Sequence, residues 1–280
     1  MISPLIKWAG GKRQLLDALN HRLPDEWNTY YEPFVGGGAL LVNLQNQEKI
    51  THAVIADLNR ELINLYRIVK SAPEQLIDEL SDEKFENTDH AFRLLKDEFN
   101  ELAGGNGNRV KRAALLIYLN KHGYNGLWRV NRQGKFNVPF GRYPKRNLPH
   151  ASSIIQFSRM LTNVSIMNVD FETTAKTAKY GDLIYFDPPY HPASKTAKFT
   201  DYNSHGFSFT DQERLARLVK RLSDKGVQVI LSNSKVPEIE DLYQDFTMVT
   251  VPAKRSINCK GKLRAGTFEI IITNYENRAS

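Results

Sequence analysis

The chain has 280 residues, 41% of them apolar and 25% charged, which suits one large domain or a core domain carrying a smaller insertion. Its one cysteine, Cys259, excludes a disulfide framework, no Cys/His group has zinc-ligand spacing, and no run of about 18 apolar residues could span a membrane. The net charge of +7 is unevenly placed: residues 101–150 hold ten Lys/Arg against the single acid Glu101, residues 251–266 hold five with none, and the rest is net acidic. Basicity confined to two segments suits a surface that meets a polyanion, because a merely solvated face carries both signs. The polar opening Met1–Trp8 does not read as a secretory signal, so a reducing cytoplasm is the expected compartment.

In chain order, Lys7-Trp8-Ala9-Gly10-Gly11-Lys12 comes first. It is not a nucleoside-triphosphate loop, since no Gly lies five residues before Gly11 and Arg13 stands where Ser or Thr is required. Thr29–Phe34 reads as a short strand, Gly36-Gly37-Gly38 as a turn, and 39–47 as a helix. Glycines in such a turn let the backbone approach a ligand closely. Leu41 occupies the place of the third Gly of the dinucleotide fingerprint, which points to a ligand lacking a pyrophosphate. Ala53–Ala56 is a second buried strand, ending at Asp57, about 20 residues on, where an acid can hold ribose hydroxyls. The plain structural alternative for Asp57 is an N-cap of the helix predicted at 59–70.

Helical periodicity continues at 73–80, 90–103 and 109–121. The pattern then changes to a basic hairpin, with Leu127-Trp128-Arg129-Val130 and Phe136-Asn137-Val138-Pro139-Phe140 flanking a turn at Asn131–Gly134. A helix at 150–162 is followed by strands at Val164–Met167, Leu183–Phe186, Val227–Leu231, Thr247–Val251 and Thr267–Thr273, with a helix at 210–225 among them. Strand–helix alternation on both sides of a helical, basic middle predicts an α/β sheet domain, 1–71 and 151–280, with an insertion at 72–150.

Asp187-Pro188-Pro189-Tyr190 closes the apolar run Leu183–Phe186, which reads as a buried strand delivering a carboxylate to the carboxyl edge of a sheet. Two prolines stiffen the turn, each fixing φ and lacking an N–H. The Asp187 carboxylate and the Pro188 carbonyl then form adjacent acceptors beside an aromatic face, an arrangement suited to an exocyclic amine on a planar ring. Such an amine is a poor nucleophile while its lone pair is delocalised. Two acceptors on its N–H bonds push the nitrogen toward sp³, and they strengthen as positive charge develops in the transition state.

Lys7–Lys12, Glu32–Gly38, Asp57, the basic insertion, Asp170-Phe171 and Asp187–Tyr190, in this order, resemble the Dam-type DNA adenine-N6 methyltransferases, from residue 5 to about 275. The resemblance implies a Rossmann-like S-adenosylmethionine-dependent sheet with an antiparallel last strand and an inserted recognition domain. It implies S-adenosylmethionine as donor and adenine in duplex GATC as target; the chemistry requires no metal, and a monomer, associated with the nucleoid through DNA, is the simplest case. It carries Lys7, Trp8, Ala9, Gly10 and Lys12 to the cofactor-side loop, with Lys7 also reaching DNA. Glu32, Phe34 and Gly36–Gly38 are carried to the methionine end, with Gly37 in the middle of the turn; Asp57 goes to the ribose, and Asp170 and Phe171 to the cofactor's adenine. Asp187, Pro188, Pro189 and Tyr190 are carried to catalysis, with Tyr190 stacking on the target base and Asp187 also bordering the cofactor. In Tyr124-Asn125-Gly126-Leu127-Trp128-Arg129, Tyr124 and Asn125 are carried to the opened stack, Leu127 to a thymine methyl and Arg129 to a guanine. Pro139 and Tyr143 match further DNA contacts. Arg255, within the second basic segment 254–261, is expected at backbone phosphates, and loop 192–207 with Ser194, Lys195, Thr196 and Tyr202 is expected to order with DNA.

Three other readings stay open at this level. They are methylation of RNA adenine or a protein amide on the same sheet, a DNA-binding protein keeping the fold without activity, and a nicotinamide-dependent dehydrogenase. The basic hairpin argues against a protein substrate. The intact Gly36–Gly38 and Asp187–Tyr190 argue against an inactive binder. The absence of a third fingerprint Gly and of a hydride-transfer acid/base argues against the dehydrogenase.

Overall fold

Strands β1 (Thr29–Glu32), β2 (His52–Ala56), β3 (Val164–Met167), β4 (Leu183–Phe186), β5 (Gln228–Ser234), β6 (Thr247–Pro252) and β7 (Phe268–Thr273) form a mixed sheet in the order β3-β2-β1-β4-β5-β7-β6. Helices are α1 (Leu16–Asn20), α2 (Ala39–Asn46), α3 (Arg60–Ser71), α4 (Pro73–Leu80), α5 (Asp89–Glu101), α6 (Arg109–His122), α7 (Ala151–Met160), α8 (Phe171–Ala175), α9 (Phe209–Asp224) and α10 (Pro237–Leu242). The computed structural model describes residues 1–8, 15–102, 109–144, 148–191, 207–252 and 268–276. The chain packs as two compact units, one of Met1–Gly11, Gly36–Lys49 and Asp57–Asn168, the other of Lys12–Val35, Ile50–Ala56 and Val169–Ser280. This α/β architecture is the Rossmann-like class expected from the sequence.

In the second unit β1 pairs in parallel with both β2 and β4, and β4 in parallel with β5. β7 runs antiparallel to β5 and to β6, as expected of the last strand. Strand order reverses between β1 and β4, the kind of switch point where open α/β sheets place ligands beyond the carboxyl ends of their strands. All four residues of β4 are buried, as a parallel strand covered on both faces requires. Its entry is pinned by the buried Asp182, whose carboxylate accepts the Thr29 N–H at 3.1 Å and the Lys179 N–H at 3.0 Å. Ile184 and Phe186 pack with Leu215, Val219 and Leu222 of α9 and with Ile270 and Ile272 of β7. A Ser208–Asp211 capping box starts α9.

In the first unit α6 is buried nearly all round, from Ala113 to Asn120, among α3, α4 and α5. Such a helix has no wet face on which to put a charge. Its Arg112 is 8% exposed and is held by Glu61 of α3, with Nε donating at 3.1 Å, and by the Phe99 ring 4.8 Å below the guanidinium.

Most predicted elements form within a residue or two of their expected ends. The short helices α1, α8 and α10 were not expected, because five or six residues cannot show a period. The basic hairpin forms without a continuous ladder: its bridges, Val130↔Phe136 and Gly123↔Phe140, are isolated. Pro139 has no N–H to extend the pairing, and the apolar side chains turn instead to a cluster of Phe99, Trp128 and Phe136. β5 runs three residues past the expected Leu231, because β7 keeps pairing with it through Ser234↔Glu269 although the apolar run has ended.

Removing one partner of a buried ion pair strands the other charge. Glu61→Ala is expected to lower stability by about 3–5 kcal/mol, read as a lower urea midpoint at unchanged slope. The double change Glu61→Leu with Arg112→Met should cost less than Glu61→Ala alone.

Candidate active site

Asp187 is the first residue to leave the buried β4, and it is half-buried, followed by a buried Pro188, an exposed Pro189 and a half-buried Tyr190. Its Oδ1 accepts the Ser232 hydroxyl at 2.9 Å, and Ser232 Oγ lies 3.0 Å from the Tyr185 hydroxyl. The turn backbone is held separately. Gln212 Nε2 of α9 donates to the Pro189 carbonyl at 3.0 Å, and Asn233 Nδ2 donates to Gln212 Oε1 at 3.0 Å. Asn233 Oδ1 accepts the His191 N–H at 3.3 Å, and Ser234 Oγ donates to the His191 carbonyl at 2.7 Å. Gln212, Ser232, Asn233 and Ser234 are all buried, so these bonds meet their own need for partners while fixing the turn. The Tyr190 hydroxyl donates to Glu269 Oε2 of β7 at 3.0 Å, which fixes the direction of its ring.

Glu32, at the end of β1, is 2% exposed and accepts the Tyr30 hydroxyl at 2.9 Å. Burial first, then the neighbouring carboxylates of Glu32 for Tyr30 and of Asp187 for Tyr185 and Tyr190, raise these phenols well above the ordinary tyrosine range. They therefore stay protonated donors at any working pH. Phe34 stacks on Phe171, centroids 5.5 Å apart, with Phe186 and Phe207 edge-on to it. Asp170 caps α8 through the Thr173 N–H at 2.9 Å and pairs with Arg214 at 2.8 Å, and the Arg214 guanidinium lies 4.8 Å from the Phe171 ring. Burial acts to raise the Asp170 carboxyl, but the Thr173 bonds and Arg214 outweigh it and hold it below the usual range.

In the first unit the glycine turn is a seat for Trp8. Gly36 and Gly38 have φ of +48° and +67°, and a Cβ on Gly36 would stand 2.9 Å from Trp8 Cδ1. Tyr66 closes the other side, donating its hydroxyl to the Gly36 carbonyl at 3.0 Å. Asp57 Oδ2 accepts the Gly36 N–H at 3.1 Å and Oδ1 the Asn59 N–H at 2.8 Å. Burial raises the Asp57 carboxyl, and these two N–H bonds oppose the rise. The N-cap of α3 is Asn59, which accepts from Glu61 and Leu62, so the capping alternative for Asp57 does not hold.

Trp8 also stacks on Trp128, with centroids 6.0 Å apart and planes 20° from parallel. Asn120, 1% exposed at the end of α6, accepts the Lys7 N–H at 2.9 Å and donates to the carbonyls of Lys7 and Gly126 at 2.7 and 2.9 Å. Lys7 is thus tied to the one-turn 3-10 helix Tyr124–Gly126, in which Asn125 has φ +55°. Tyr143 Oη accepts the Asn125 N–H at 2.9 Å, and the Pro139 carbonyl accepts the Tyr124 N–H at 2.8 Å. Tyr124, Arg129 and Pro139 are exposed, and Leu127 is half-buried. Arg129 donates through Nε to Asn137 Oδ1 at 2.7 Å and through Nη2 to the Asn137 carbonyl at 3.0 Å.

Ala9, Gly10, Lys12, Lys145, Ser194, Lys195, Thr196, Tyr202 and Arg255, with the rest of 254–261, lie outside the described residues. Sequence reasoning missed Ser232, Asn233, Ser234 and Gln212, and also Glu269, Asn120 and Asn137. One signal was available: Ser-Asn-Ser directly follows a buried parallel strand, where sheet ends carry polar function. Among the described residues no group of three or more His, Cys, Asp or Glu is placed to hold a metal ion, and no helix is long and apolar enough to cross a membrane.

Residues 8–257 match the family described as D12 class N6 adenine-specific DNA methyltransferase. The chain is 43% identical over 278 residues to the Type II methyltransferase M1.LlaDCHI of Lactococcus lactis subsp. cremoris, covering 99% of this chain and 96% of that one. It is 39% identical over 257 residues to the DNA adenine methylase of Serratia marcescens, covering 90% and 91%. Identity to the DNA adenine methylase of Escherichia coli K12 is 34% over 268 residues, covering 95% and 93%.

A methyl group on Gly36 would meet Trp8 in a left-handed backbone. Gly36→Ala is expected to lower stability by roughly 1–3 kcal/mol in thermal melts of the protein without ligand. Gly37→Ala should cost less, because that backbone is not left-handed and its Cβ would lie 3.2 Å from Trp8 Cβ.

Proposed function

Since the chain belongs to the D12 class of N6 adenine-specific DNA methyltransferases, we propose that it methylates N6 of adenine in duplex GATC, with S-adenosylmethionine as donor and the base turned out of the stack. The observation that carries this reading is the Asp187 carboxylate, delivered by a wholly buried strand and gripped by Ser232.

Asp187 and the Pro188 carbonyl accept the two N–H bonds of the target amine, and Tyr190, anchored by Glu269, stacks on its ring. These acceptors gain strength as the nitrogen becomes positive, so they favour the transition state over the bound substrate. A stacked base cannot reach a carboxylate at the end of a sheet strand, which is the reason for extrusion. When bound, S-adenosylmethionine supplies an electrophilic methyl on a sulfonium.

The residues present fit that donor. Asp57 offers a carboxylate at the end of β2 to ribose hydroxyls, beside the glycine turn whose Gly36 N–H it holds. The buried Glu32 suits an ammonium, with Phe34 and Gly36–Gly38 at the methionine end, and Asp170 and Phe171 serve the adenine. Trp8 and Lys7, with Ala9, Gly10 and Lys12, complete the cofactor side.

We assign target recognition to 72–150, inserted between 1–71 and 151–280. Tyr124 and Asn125 probe the opened stack, Leu127 meets a thymine methyl, and Arg129 reads a guanine. Lys7, Pro139, Tyr143 and Arg255 make further DNA contacts. A guanidinium already held by Asn137 loses less freedom on binding than a loose one.

The first test is transfer of labelled methyl to duplexes containing GATC or a one-base variant, with Asp187→Ala as control. Label only on N6 of the GATC adenine, absent in the variant enzyme, is expected. Label on both duplexes would retain the chemistry and discard the specificity. A single bidentate guanine contact is worth about 1–3 kcal/mol of discrimination, so Arg129→Ala should relax selectivity at one guanine by that amount. Asn137→Ala should do so more weakly, whereas Lys145→Ala should weaken binding to all sequences alike. Equal losses on cognate and altered sites for Arg129→Ala would remove it from base reading.

A further inference from the structure

We infer that Ser232 is a positioning residue for methyl transfer, orienting the Asp187 carboxylate through a hydroxyl relay that starts at Tyr185. The inference rests on the reading of Asp187 as the acceptor of the target amine. β4 and β5 run in parallel with Phe186 opposite Leu231, which brings the next residues of the two strands, Asp187 and Ser232, across from each other.

The direction of the relay follows from counting protons. A serine hydroxyl has one proton and two lone pairs, and an ionised carboxylate can only accept. Ser232 spends its proton on Asp187 Oδ1 at 2.9 Å, so across the 3.0 Å contact with Tyr185 it must be the acceptor. Tyr185 and Ser232 are 1% and 0% exposed, which leaves the relay in a low-dielectric interior where successive hydrogen bonds strengthen one another.

A buried hydroxyl at a strand end has a bland explanation, that it merely stabilises the turn. The division of labour speaks against this. The turn backbone has supports of its own, Gln212 on the Pro189 carbonyl, Asn233 on the His191 N–H and Ser234 on the His191 carbonyl. Ser232 instead donates to the Asp187 side chain, which those three bonds do not touch. The terminal torsion of an aspartate is broad, so a donor fixed on one oxygen restricts the swing of the carboxylate plane. With two oxygens and about four lone-pair sites, Asp187 can accept from Ser232 and still accept from an amine. Displacing that acceptor by about 1 Å misdirects the nitrogen lone pair, and misplacement of this order costs up to about 100-fold in rate.

The test is steady-state methyl transfer by the full chain, with labelled S-adenosylmethionine and unmethylated genomic DNA as acceptor, so that it does not depend on GATC. Ser232→Ala is expected to lower kcat by about 10- to 100-fold with both KM values within about 2-fold of the unaltered enzyme. Ser232→Thr, which restores the hydroxyl, should recover most of the rate. Tyr185→Phe, which removes only the first link, should give a smaller loss, again in kcat. A Ser232→Ala enzyme with unaltered kcat, a loss confined to KM, or equal rates for the Ala and Thr variants would overturn the assignment. Should Ser232→Ala fail to fold, an unaltered kcat in Tyr185→Phe overturns the relay. Asp187→Ala separates the two levels. If it retains transfer, the reading of Asp187 fails and this inference with it; if it is inactive while Ser232→Ala is fully active, only the inference fails.

Discussion

A carboxylate emerging from an apolar strand must find hydrogen-bond donors inside the protein, or it turns outward to water and loses its aim. The sheet unit is organised around meeting that need at Asp187. Asp182 pins the entry of β4 against the start of β1, four buried residues follow, and the next side chain is met by Ser232 from the neighbouring strand. Because β7 continues to pair with β5, the polar run Ser232-Asn233-Ser234 is carried as strand rather than released as loop. The same pairing brings Glu269 to the hydroxyl of Tyr190. Backbone pairing thus sets where each polar side chain stands, and the polar side chains set the turn.

This arrangement gathers Glu32, Asp187 and Glu269 among Tyr30, Tyr185 and Tyr190. Three carboxylates near one another would be costly if each relied on the others for neutralisation. Phenols held protonated by burial offer donors without adding charge, as Tyr30 does to Glu32 and Tyr190 to Glu269.

The other unit solves a different problem, that of holding a strained glycine turn and a basic hairpin to one rigid support. Trp8 is shared between them, set against Gly36 on one part of its surface and stacked on Trp128 on another. Asn120 completes the link by binding the backbone of both Lys7 and Gly126. Asn120 can do this only because α6 is immobilised on all sides, with Arg112 tied to Glu61 within the same packing. The residues proposed for the cofactor side and those proposed to read DNA are therefore joined through aromatic stacking and one amide, which gives this chain a mechanical reason for carrying tryptophan at position 128.

Much was legible in the sequence because it depended on local rules. Apolar runs and turn residues located all seven strands, helical periodicity located the longer helices, and proline chemistry marked Asp187-Pro188-Pro189-Tyr190 before any partner was known. The charge distribution separated a basic middle from an acidic remainder, and the ordered motifs pointed to the family. Short helices escaped because they are shorter than the period that would reveal them. Asp57 could be read two ways from sequence, and the choice went to the glycine turn because Asn59 had already taken the cap. What only the tertiary structure decided was the pairing of polar side chains far apart in the chain: Ser232 with Asp187, Gln212 with Pro189, Glu269 with Tyr190, and Asn120 with Lys7 and Gly126. Periodicity reports which way a residue faces relative to its own element, whereas a hydrogen bond depends on which residue of another element arrives opposite it, and that is set by sheet register and helix packing.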